Sequence, residues 1–195
     1  MSTIALSRRG ALLDTIVRPS LVTNILLVLV GAGFVGAMAQ ISWTVHPFVV
    51  PFTGQTLAVL VVGATFGTRR ALASMGTYAL AGLAGVPWFA GHTAGYVKPL
   101  FGYILGFALA AIVMGYLSKK GADRTVSGAI GMFVLGELAI YAVGVPWLSL
   151  VFHQSLGWGI TNGMIPYLVW DLAKAVVAGS LLPLAWRLVP ARDEQ

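Results

Sequence analysis

Three ionisable residues, Glu137, Asp171 and Lys174, stand in stretches that are otherwise almost wholly apolar. A charged group inside a membrane costs about 2.5–3.5 kcal/mol on insertion scales, so each one is a functional candidate whose partner has to be found. Asp171 and Lys174 are three apart, which on a helix puts them on one face within mutual reach. A carboxylate and an amine at that spacing either compensate each other as structure or serve a ligand. Their position, about one turn after Pro166 and near the outer start of the last helix, favours a pocket open to the external medium. Glu137 has no cation at helical spacing, which leaves two states open: protonated, or paired across the bundle.

Uncharged polar and aromatic residues extend this set. Gln55 follows Pro51-Phe52-Thr53-Gly54, and a glutamine amide in a span must bond a neighbouring helix or point into a pocket. One outer stretch carries Trp88, Phe89, Gly91, His92, Gly95 and Tyr96, and another Trp147, His153, Trp158 and Tyr167. Membrane interfaces collect Trp and Tyr without any ligand, so each ring is a belt residue or a pocket residue. The glycine-rich run from Phe89 to Gly95 reads as a mobile lid. On the first span, Gly31, Ala32, Gly33, Gly36 and Ala37 put small residues at spacing four, which allows close helix approach within the bundle or against a partner.

The elements that position these residues follow from composition. Of 195 residues, 58% are hydrophobic and 9% charged, too apolar for a soluble domain of this size. With about 20 residues per span, the chain holds roughly six spans and little else. Hydropathy places them at about 22–43, 52–67, 71–87, 99–118, 126–145 and 164–188, the second and third short or tilted. The expected fold is therefore an all-α integral membrane protein: one domain over 1–195, with an arm at 1–20 and a six-helix bundle at 21–190.

Basic residues set the topology. Arg8, Arg9, Arg18, Arg69, Arg70, Lys119, Lys120, Arg124, Arg187 and Arg192 fall on one side, Lys98 alone on the other, and Lys174 within a span. The positive-inside bias then puts both termini in the cytoplasm, and the net charge of +6 reports topology rather than nucleic-acid binding. Ser7-Arg8-Arg9-Gly10-Ala11-Leu12-Leu13 is similar to a twin-arginine export signal, but Asp14 and Arg18 interrupt the apolar stretch that should follow. An interfacial arm fits better, with Leu12, Leu13, Ile16 and Val17 toward lipid.

Several chemistries are excluded or unsupported. Without cysteine there is no disulfide, thiolate site or cysteine nucleophile, and the three histidines form no metal motif. No Walker A, HExxH or GxSxG sequence occurs, so no catalytic residue, metal or cofactor is assigned, and a primary pump would need a separate ATPase.

Several segments, in order, resemble the BioY family, the biotin-specific S components of energy-coupling factor transporters. They are Ala39-Gln40-Ile41, Val50 to Leu60 (VPFTGQTLAVL), Gly67-Thr68-Arg69-Arg70, Tyr78, and Gly82 to Gly91 (GLAGVPWFAG). Gly102 to Phe107 (GYILGF), Gly144 to Leu148 (GVPWL) and Asp171-Leu172-Ala173-Lys174 complete the set. The resemblance spans about Gly31 to Pro190, with Lys98-Pro99-Leu100-Phe101 departing from the more usual Gly-Pro-Thr-Gly. It implies a six-helix, multi-pass S component of the bacterial inner membrane that binds biotin at its outer face. The implied partners are a transmembrane coupling protein and two cytoplasmic ATPases. By the same resemblance Asp171 and Lys174 match the polar ligand-binding pair, Gln55 the polar position of the second span, and His92 the contact loop. Tyr78, Trp88 and Phe89 are carried with them as ligand-binding candidates, and Gly33 and Ala37 as the docking surface. Three alternatives remain: an S component for another vitamin, an autonomous carrier relaying protons through Glu137 and Asp171, and a membrane enzyme using Asp171 and Lys174 as acid and base.

Overall fold

A chain this apolar must satisfy its backbone polar groups internally, and it does so mainly with helices. The computed structural model describes residues 11–188. The twin-arginine-like Ser7 to Gly10, with Arg8 and Arg9, and Pro190 and Arg192 lie outside the described residues. In chain order the elements are α1 (Leu12–Ile16), α2 (Leu21–Gln40), β1 (Ser42–Trp43), β2 (Phe52–Thr53), α3 (Gln55–Phe66), α4 (Thr68–Leu83), α5 (Phe101–Lys119), α6 (Val126–Val151), α7 (Leu156–Gly163) and α8 (Leu168–Leu188). Side-chain oxygens of Ser20, Thr125 and Ser155 cap the starts of α2, α6 and α7 by accepting backbone N–H bonds.

Helix α5 sits centrally, packed on α3, α4 and α6, while α8 lies against α6 and α2 against α3 and α4. Small residues set the closest approaches. A Cβ at Gly106 would lie 2.7 Å from the Ile140 carbonyl oxygen, so α5 and α6 touch there backbone to backbone. On α2 the outward row Leu21, Ile25 and Leu29 is more than half exposed, as a lipid-facing stripe would be.

One end of the bundle gathers the basic groups. Arg70 Nη1 pairs with Asp14 Oδ1 at 2.6 Å and its Nε donates to Asn24 Oδ1 at 2.8 Å, tying α1, α2 and α4. Gly115 near the end of α5 abuts the Thr68 backbone, so the turn after α5 shares that end. There Asp123 Oδ2 accepts from Ser118 Oγ (2.9 Å) and Trp186 Nε1 (2.8 Å), and the Arg124 guanidinium lies 4.9 Å from the Trp186 ring centre.

The spans differ from expectation in specific ways. Among the described residues, four apolar helical runs are long enough to cross a membrane: Leu21–Gln40, Phe101–Lys119, Val126–Val151 and Leu156–Leu188. With 12 and 16 residues, α3 and α4 rise only roughly 18 and 24 Å against a hydrocarbon core of about 30 Å. The first span ends at Gln40 rather than residue 43 because Ser42–Trp43 pairs antiparallel with Phe52–Thr53. The fifth does not stop at 145: α6 continues through Pro146 to Val151, a proline inside a spanning helix being tolerated more readily than in water. The rest of the expected outer loop 146–163 holds α7, whose Gly157, Gly159 and Gly163 disguise it as a turn. Leu12, expected toward lipid, is buried, whereas Ile16 is exposed.

Candidate functional site

At the end opposite the basic groups, α3, α5, α6 and α8 enclose a cavity with about 720 Å³ of empty space, partly open to solvent. Its polar floor is built from α8 outward. Asp171 and Lys174, 6% and 9% exposed, form an ion pair of 2.6 Å (Nζ to Oδ1). Lys174 Nζ also donates to Thr56 Oγ1 at 2.6 Å and to the Thr53 carbonyl at 3.4 Å, while the Tyr141 hydroxyl donates to Asp171 Oδ2. These contacts are reached because the β1–β2 pairing folds Phe52 and Thr53 across the mouth of α3. Glu137 lines the same cavity one helical turn before Tyr141, 6% exposed, with Thr56, Asp171 and Lys174 as its polar neighbours. Glu137, Tyr141 and Asp171 also border a second cavity of about 530 Å³ whose other walls are apolar residues of α6 and α8.

Aromatic and apolar groups form the walls. Phe52 and Tyr167 meet with centroids 4.6 Å apart, and the Tyr167 hydroxyl donates to the Val50 carbonyl. Tyr103 reaches across to donate to the Gly163 carbonyl at 2.8 Å. Phe89, Ala90, Thr93 and Val97 supply the upper wall. That stretch is fixed by one side chain at the end of α2. Gln40 Nε2 donates to the carbonyls of Gly36 (2.9 Å), Trp88 (2.9 Å) and Phe89 (3.3 Å), and its Oε1 accepts from His92 N (3.1 Å). The expected lid is thus anchored at its base.

Of the candidate ligand-binding residues, Gln55, Phe89, Asp171 and Lys174 come together in the cavity wall. Gln55 meets both of its alternatives, lining the cavity while its Nε2 donates to the Tyr78 hydroxyl on α4 at 2.7 Å. Tyr78 is fully buried behind it, outside the lining. Trp88 packs between Gly36 and Tyr78, its Nε1 donating to the Tyr78 carbonyl at 2.9 Å. His92 is exposed and lies outside the lining, between Ala90 and Thr93, which belong to it. Gly33 and Ala37 are exposed on α2, and a Cβ at Gly33 would meet nothing within 4 Å, whereas Gly31 and Gly36 pack inward on Ser74 and Trp88.

Sequence reasoning passed over Thr56, Tyr103 and Tyr141 as site residues, and treated Glu137 and Tyr167 without assigning them. Tyr141 had a usable signal, since it lies four residues after Glu137 on the same helix face. No group of three or more His, Cys, Asp or Glu able to hold a metal occurs among the described residues. Chemically, the floor offers an anion and a cation held side by side, suited to a neutral ligand that has both N–H donors and a carbonyl acceptor. The walls suit an apolar body.

The BioY family's sequence profile matches residues 8–191. The chain belongs to the BioY family. Similar BioY proteins include the biotin transporter of Thermotoga maritima, 35% identical over 155 residues, covering 77% of this chain and 90% of that one. Another is the biotin transporter of Rhizobium etli, 31% identical over 159 residues, covering 73% and 83%. In fold, the chain matches the crystallised S component for biotin from an ECF-type ABC transporter, with a TM-score of 0.73 at 20% identity, covering 85% of this chain and 92% of that one. Membership of BioY, a family of membrane transporters, agrees with the several apolar helices of a multi-pass membrane protein.

Proposed function

We propose that this chain captures biotin as the substrate-binding S component of an ECF-type transporter. The observation that carries the reading is the buried Asp171–Lys174 pair at the floor of an aromatic-walled cavity, in a chain of the BioY family. Biotin presents a cyclic urea with N–H donors and a carbonyl, a fused apolar ring and a chain ending in a carboxylate. Asp171 accepts from the N–H side of the urea and Lys174 answers its carbonyl, while Phe89 and the other wall residues cover the ring. Gln55 contributes an amide to the wall. Tyr78 and Trp88 act behind it, holding Gln55 and the loop. His92 stands at the rim, where it faces solvent and the carboxylate end of the ligand.

The whole chain forms one membrane domain of six spans, in which α3 and α4 cross despite their length. Both termini and the basic end face the cytoplasm of a bacterial cell. The reaction is transport rather than catalysis. A transmembrane coupling protein and two cytoplasmic ATPases supply the energy, and the exposed Gly33 and Ala37 face of α2 docks the coupling protein. Equilibrium binding of biotin to the purified protein, with thiamine as control, tests the reading. Tight binding of biotin alone supports it; no binding by folded protein refutes it.

A further inference from the structure

Within the polar cluster, one group has its hydrogen-bonding capacity unanswered. Lys174 directs its three N–H groups at Asp171, Thr56 and Thr53. Asp171 receives Lys174 on one oxygen and Tyr141 on the other. Gln55 donates to Tyr78. Glu137 is only 6% exposed, and neither of its carboxyl oxygens makes a hydrogen bond of ordinary geometry to the described residues, with the Thr56 hydroxyl, which already accepts from Lys174, as the side-chain donor beside it. Buried polar groups are nearly always paired, so an exception calls for a specific reason. Here the exception points into the cavity, beside Asp171 and Lys174.

We infer that Glu137 is a ligand-binding residue whose carboxyl accepts one ring N–H of a cyclic urea, so that Glu137 and Asp171 together serve the two N–H groups. The inference rests on the biotin reading above. It completes the match of donors and acceptors: Lys174 gives the urea carbonyl the N–H that makes its longest bond, 3.4 Å to the Thr53 carbonyl, and each urea N–H has a carboxyl of its own. Asp171 keeps acceptor capacity for this, because a carboxylate offers about four lone-pair sites and only two are in use. Glutamine keeps a carbonyl acceptor in nearly the same place as glutamate, whereas leucine and methionine offer none.

The test uses the full chain in detergent and three ligands: biotin and the two isomers methylated on one urea nitrogen. Wild type binds biotin and rejects both isomers. E137Q holds biotin within about fivefold of wild type, whereas E137L weakens it by about tenfold or more, the span of one buried hydrogen bond to a carboxyl. In E137L one isomer, the one methylated on the side of Glu137, recovers relative to biotin and the other does not. Removing an unanswered buried carboxyl leaves E137L at least as resistant to unfolding as wild type; should leucine misfold, E137M carries the same expectations. Unchanged biotin affinity in E137L, or weakened binding with unchanged isomer preference, overturns the inference. Failure of the wild type to bind biotin overturns the underlying reading instead, and the inference with it.

Discussion

Replacing Asp171 with Asn strips the paired carboxylate from an ammonium that is 9% exposed, leaving Lys174 with Thr56 Oγ1, the Thr53 carbonyl and the neighbouring Glu137 carboxyl. Breaking one side of a buried pair costs about 3–5 kcal/mol, because a largely desolvated charge loses its counter-ion. Lys174→Met strands the carboxylate in the same way, relieved only by Tyr141. The double variant Asp171→Asn/Lys174→Met strands nothing, so it should be more stable than either single and within about 2 kcal/mol of wild type. Binding follows a different course. Asp171→Asn loses a charge-assisted bond to the ligand worth about 1.5–3 kcal/mol, roughly a tenfold to 150-fold weakening, and the double variant recovers none of it. Reversible unfolding in mixed micelles, followed by tryptophan fluorescence, gives the stabilities, and calorimetric titration with biotin gives the affinities. The reasoning is refuted if the double variant is no more stable than the singles, or if folded Asp171→Asn binds biotin as wild type does.

The other parts of the structure give sharper local tests. Gly33→Leu with Ala37→Leu should leave biotin binding within about twofold, since neither residue touches the cavity, and abolish co-purification with the coupling protein and ATPases. Gly82→Ala would put a methyl into the ring of Phe89, so it should displace the upper wall and weaken biotin by about tenfold, measured in the same titration. At the basic end, burial holds the Asp123 carboxyl above its usual range against the opposing hydrogen bonds from Trp186 and Ser118. The folded state therefore keeps its proton at a higher pH than the unfolded chain, and this residue's contribution to stability falls as pH rises above the ordinary aspartate value. Asp123→Asn, neutral and still an acceptor, should lie within about 1 kcal/mol of wild type at pH 7, whereas Asp123→Ala should lose about 2–3 kcal/mol; unfolding titrations compare them.

How much of this was legible in the sequence depends on the kind of signal. Apolar runs and one-sided basic residues marked the helices and the shared basic end, because both follow from the solvent alone. The Asp171–Lys174 pair was legible because its partners lie on one helix at a fixed spacing. Thr56 and Tyr141 reach that pair from α3 and α6, and no local pattern announces a contact across three helices. The expected span ends at 145, yet α6 runs through Pro146 to Val151 and a further helix, α7, starts at the Ser155 cap. Tyr78 and Trp88 were picked with the site, but the fold uses them one layer back, where sequence cannot separate a lining ring from its support.

The Gln40 amide has a bearing on how such a protein can change over generations. The stretch over the cavity is seated by hydrogen bonds to backbone atoms of Trp88, Phe89 and His92, so its seat does not depend on which side chains follow in the loop. Mutational drift at Thr93, Ala94 and Tyr96 can therefore retune what the rim presents to the outward end of a ligand while the loop keeps its place, whereas Gly91 and Gly95, at φ +68° and +76°, hold backbone that other residues adopt only with strain. Gln40 has no such latitude. Glutamate there would set an anion against three carbonyl oxygens, and a shorter amide would not span them, so the freedom of the rim is bought by the constancy of a single side chain on a neighbouring helix.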